Sequence, residues 1–119
     1  MERDKLLKKI DSFKDELINM RRHIHAHPEL SGLENQTAIL ISGYLKKIGG
    51  RVTESVGRTG VVADFGPKDK GFIGLRVDMD ALPIYENTNL SFSSKIDGIM
   101  HACGPVSYTH LTLPTIALV

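Results

Sequence analysis

Phe72-Ile73-Gly74-Leu75-Arg76-Val77, followed directly by Asp78-Met79-Asp80-Ala81-Leu82-Pro83, is the stretch on which the fold of this chain turns. An apolar run with β-branched residues, entered through Gly71, predicts a buried strand of an α/β sheet over Phe72–Val77. Two carboxylates at its carboxyl end sit where open α/β sheets place their ligand sites. Side chains alternate along a strand, so Asp78 and Asp80 share one side and can act together. Further on, Gly98-Ile99-Met100-His101-Ala102-Cys103-Gly104 brings the only cysteine, with a histidine two positions before it. A thiolate, an imidazole and carboxylates at one rim make half of a metal site.

Each of these residues also has a plain structural reading. Acids at a strand end cap helices or face solvent, a lone cysteine is commonly a small buried hydrophobe, and the His-x-Cys spacing carries little by itself. Arg76 inside an apolar strand requires a carboxylate partner.

Working outward, Leu6, Ile10, Phe13, Leu17, Met20 (or Arg21) and Ile24 recur at spacings of three and four, the stripe that an amphipathic helix buries. Pro28 disfavours helical backbone in His27 and ends that helix. Ser31 and Glu34 have the spacing of a capping box. A second helix is expected from about Leu33 to Ile48, burying Thr37, Ile41 (or Leu40), Tyr44, Leu45 and Ile48, and stopped by Gly49-Gly50. Strands Val52–Val56 and Val61–Phe65 should follow, with turn signals at Thr59-Gly60 and over Gly66–Gly71. Helix, helix, strand, strand, strand is the opening of a larger α/β domain. Beyond Pro83 the chain is polar and aperiodic, a loop suited to substrate contacts.

Composition excludes several classes. The 119 residues hold one domain, with 41% hydrophobic and 24% charged residues and a formal net charge of +1. Neither nucleic acid nor an anionic membrane surface is called for as partner. One cysteine makes no internal disulfide, the charged start lacks a signal peptide's apolar region, and no run approaches the roughly 18 apolar residues of a membrane span. A cytoplasmic protein is expected. No nucleophile elbow or phosphate-cradling glycine loop is present. His23, His25 and His27 crowd the end of the first helix, where imidazoles interact with carbonyls and the helix dipole; substrate contact is the functional alternative.

Four stretches then line up. His25-Ala26-His27-Pro28-Glu29-Leu30-Ser31, Thr59-Gly60-Val61-Val62-Ala63, Leu75 through Ile84 with Glu86, and Gly98 through Gly104 resemble, in this order and spacing, the N-terminal part of the metal-dependent amidohydrolases that include hippurate hydrolase and the indole-acetyl-amino-acid hydrolases. The resemblance covers residues from about 8 to 104. It implies the N-terminal portion of an aminopeptidase-like two-metal α/β catalytic domain, interrupted in the full-length protein by a smaller lid or dimerisation domain, and it allows a homo-oligomer. It makes Cys103 a metal ligand bridging two divalent ions (zinc, manganese, nickel or cobalt) and gives Asp80 the role of orienting a metal-binding residue. Asp78 stands where relatives outside this branch place a histidine ligand, and His101 is a motif member without an assigned ligand role. The implied reaction is hydrolysis of an N-acyl amino acid, in which metal-activated water attacks the amide carbonyl and a glutamate further along shuttles the proton.

The family pattern continues from Cys-Gly into His-Asp, whose histidine is the next ligand, whereas here Pro105 follows Gly104. Val106–Thr115 also reads as one frame through a transposon-end sequencing adapter. Residues 1–104 are therefore expected to form a partial amidohydrolase catalytic domain and 105–119 a non-native tail, with His110 no substitute ligand. A catalytic zinc site needs three protein ligands, so the chain by itself is expected to be inactive and, with an unfinished sheet edge, poorly soluble. Two alternatives stand beside this one: a small non-catalytic α+β interaction module whose acids are surface charges, and a carboxypeptidase-like or aminoacylase-like relative with another leaving group.

Overall fold

The computed structural model describes residues 2–67, 69, 71 and 73–103. Glu2–Ala26 form α1. It ends where proline dictates: the His27 N–H reaches back to the Ile24 carbonyl at 3.1 Å, and Pro28 is buried. The apolar stripe is present, but the expectation that it is buried fails. Leu6, Ile10, Phe13 and Leu17 are 40–59% exposed, and enclosure begins only at His25 and Ala26. Amphipathic periodicity specifies which face wants a partner and says nothing of where that partner lies in the chain; here no covering surface lies among the described residues. None of the described helices is long and apolar enough to cross a membrane.

The second helix, α2, is Asn35–Lys47. Its start differs from the expected capping box. Glu34 occupies the N-cap without a side-chain cap bond and instead accepts the Thr59 hydroxyl at 2.6 Å. The free N–H groups of the first turn are taken by Glu29, whose two carboxylate oxygens accept from Gln36 at 3.1 Å and Thr37 at 2.7 Å. Burial alone would raise the Glu29 carboxyl, yet these amide donors hold it below the usual range. The far end follows the glycine signal. Gly49 takes φ +88°, its N–H meets the Lys46 carbonyl at 3.0 Å, and the Gly50 N–H meets Leu45 at 2.8 Å, the paired bonds of a Schellman stop. Thr37 is buried and Ile41, Tyr44 and Leu45 half-buried as expected, whereas Ile48 is exposed.

Arg51–Val56 (β1) and Gly60–Asp64 (β2) pair antiparallel, with Arg51 opposite Asp64 and Thr53 opposite Val62. The register slips by one residue between Thr53 and Val56, a bulge at which Ser55 adopts φ +58°. α2 packs across both strands.

The third expected strand is not formed. Residues 73–80 run without sheet partners, Ile73 is 95% and Leu75 94% exposed, and Phe72 lies outside the described residues. An apolar run of this kind suits a strand buried on both faces, and parallel neighbours reach it only through long crossovers; such neighbours are not among the described residues. Arg76 does find its carboxylate, Asp78 Oδ1 at 2.9 Å, in an exposed ion pair. Beside Pro28, the buried apolar residues among those described are Ala26 and Ala81. Gly104, Pro105, His110 and the remainder of the proposed tail lie outside the described residues.

Candidate functional site

Two single bridges assemble the site. Leu82 and Met100 exchange N–H to carbonyl bonds, each of 2.9 Å, in an antiparallel bridge that lays residues 78–81 beside 101–103. On the other side the Ala81 N–H donates to the Glu29 carbonyl at 2.8 Å, tying the acid-bearing segment to the loop between the helices. Ala81 is accordingly among the most buried residues.

Asp78, Asp80, His101 and Cys103 all line one open cavity of about 1280 Å³, with His25 and Arg76 on the same wall. Within it the four are not equivalent. Asp78 is engaged by Arg76. Asp80 is half-buried, and its backbone carbonyl accepts a hydrogen bond from the His101 ring. His101 Nε2 is buried without a hydrogen-bond partner. Burial, then the neighbouring His25, push the His101 pKa down; the Asp80 charge and carbonyl oppose them. Cys103 is exposed at the cavity rim.

No group of three or more His, Cys, Asp or Glu side chains converges into a metal-holding cluster among the described residues. The donor chemistry nevertheless fits a divalent ion. A buried imidazole nitrogen without a hydrogen-bond partner, sharing a cavity with a thiol and carboxylates, is a donor set such an ion takes.

The histidine cluster divides its roles. His27 Nδ1 donates to the His23 carbonyl at 2.8 Å, the helix-end role expected. His25 turns away to Glu86, its Nε2 lying 3.0 Å from the nearer carboxylate oxygen. Sequence inspection missed this pair, because sixty-one positions separate its members and no local spacing links them. Both residues fall in the motif stretches, but nothing in those stretches pairs them.

Two helices, a hairpin and an acid-bearing segment in this arrangement form part of an α/β domain with solved counterparts. The solved structure of a Bacillus subtilis protein, described as a dinuclear metal binding peptidase, superposes with a TM-score of 0.72 at 46% identity, over 79% of this chain and 27% of that one. A Synechocystis protein described as a probable hydrolase is 50% identical over 83% of this chain and 26% of its own length. An N-acyl-L-amino acid amidohydrolase of Geobacillus stearothermophilus is 38% identical over 97% of this chain and 31% of its own. Residues 74–112 match peptidase family M20/M25/M40. The chain spans between a quarter and a third of the length of these relatives.

Proposed function

We propose that the protein to which these residues belong hydrolyses the amide bond of N-acyl amino acids with the help of two divalent metal ions. The observation that carries this is the gathering of Asp78, Asp80, His101 and Cys103 around one cavity. In support, relatives bear the names N-acyl-L-amino acid amidohydrolase and dinuclear metal binding peptidase.

When bound, the ions supply activation of water and polarisation of the amide carbonyl. The residues present bind and orient. Cys103, reached from the cavity rim, would hold metal as its thiolate. Asp80 would orient a ligand from behind. Asp78, already neutralised by Arg76, keeps a guanidinium at the cavity mouth, where a substrate carboxylate would find a cation. The base, and any further ligands, lie outside the described residues.

The test is release of free amino acid from a panel of N-acyl amino acids by the full-length protein, before and after chelation and with metal restored. Turnover that vanishes on chelation and returns with metal is expected. Absence of turnover across the panel with metal loaded would sink the reading. An interaction module gains little support, since the described residues enclose almost no hydrophobic core of their own. A non-native tail over 105–119 remains a second proposal, tested by resequencing the locus past codon 104.

A further inference from the structure

The stretch after Pro83 has no periodicity, yet one carboxylate organises it. The Glu86 side chain is only 4% exposed. Its oxygens lie 3.0 and 3.1 Å from His25 Nε2, on the last turn of α1. Glu86 also accepts the Ser94 N–H at 2.6 Å and the Thr88 hydroxyl. Donors from two remote parts of the chain therefore converge on one group.

Further contacts close the same seam. The Phe92 ring meets the His25 ring edge-on at 5.6 Å, and the Arg22 guanidinium lies 5.0 Å from the Phe92 centroid. The Lys95 N–H donates to the Ala26 carbonyl at 2.9 Å, occupying one of the acceptors that the end of α1 leaves open. His25 itself lines the cavity, its ring 6.4 Å from that of His101.

We infer that Glu86 is a latch: by holding His25, Thr88 and Ser94 together it fixes segment 86–95 onto the C-terminal turn of α1 and sets the His25 ring as a rigid wall of the cavity. This stands apart from the hydrolytic reading and requires no metal. The alternative is that the segment is held by its own turns, with the Glu86 contacts incidental.

Amide hydrogen exchange on the 119-residue chain decides. Glu86→Ala should speed exchange at Ser94 and Lys95 by about tenfold or more, leaving Gly50 at the end of α2 unchanged. His25→Gln should free Lys95 while Ser94 stays protected, because Ser94 is bound to Glu86 directly. Unchanged Ser94 and Lys95 exchange in Glu86→Ala overturns the latch. Should that variant unfold outright, His25→Gln is decisive: selective loosening of Lys95 supports the latch, while no change there, or an equal loss at Gly50, overturns it.

Discussion

Cys103 and Asp80 illustrate how far single residues can be read. Both were singled out because they fall in short motifs, and both line the cavity. In the full-length protein, Cys103→Ser should abolish most activity and lower metal content; an unchanged rate with full metal would remove Cys103 from the ligand set. Asp80→Asn should slow turnover by about 10- to 100-fold with a smaller loss of metal, as for a residue that acts by orienting another. Measuring rate and metal content together separates the two roles. Glu86 and His25 were not legible, since their partnership exists only once the chain has folded. Hydrogen bonds from Thr88 and Ser94, with His25 assisting, hold the Glu86 carboxyl at about 2 against an ordinary 4.5. A depressed carboxyl pKa favours the folded state when ionised. The latch is therefore fully stabilising above about pH 4.5 and weakens as pH falls toward 2, which the Ser94 amide resonance should report in an acid titration.

Among the elements, those governed by local chemistry were read correctly. Pro28 stops α1, Gly49-Gly50 stop α2, and β1 and β2 lie within a residue of their expected bounds. The helix start was misread because Ser31 and Glu34 have the right spacing, while Thr59 competes for the Glu34 carboxylate and Glu29 reaches the helix from farther back. Removing that cap is a direct check: Glu29→Ala should destabilise the fold by about 1 kcal/mol, the usual worth of an N-terminal cap. A thermal melt followed at 222 nm should show a midpoint lower by several degrees, with Glu29→Gln less affected. No change in either variant would mean that α2 does not depend on Glu29. The stretch 73–77 shows the limit of pattern. Its residues specify a strand, but a strand is a relation between segments, and hydrogen bonds to neighbours are what it lacks here.

For the molecule as a whole, the exposed faces of α1 and of residues 73–77 dominate behaviour in solution. Apolar, unpaired backbone of this kind recruits other chains. The 119-residue chain should associate with rising concentration in light scattering, and Leu75→Lys should reduce that association; a monodisperse monomer throughout the micromolar range would contradict this. The likeness to peptidase family M20/M25/M40 was legible from four motifs in order, and none of them depends on the missing packing. Glu29, finally, grips in two directions: its carbonyl holds Ala81, next to the acids, and its carboxylate holds the first turn of α2. The acid-bearing segment and α2 are thereby riveted to one residue, by its backbone on one side and its side chain on the other.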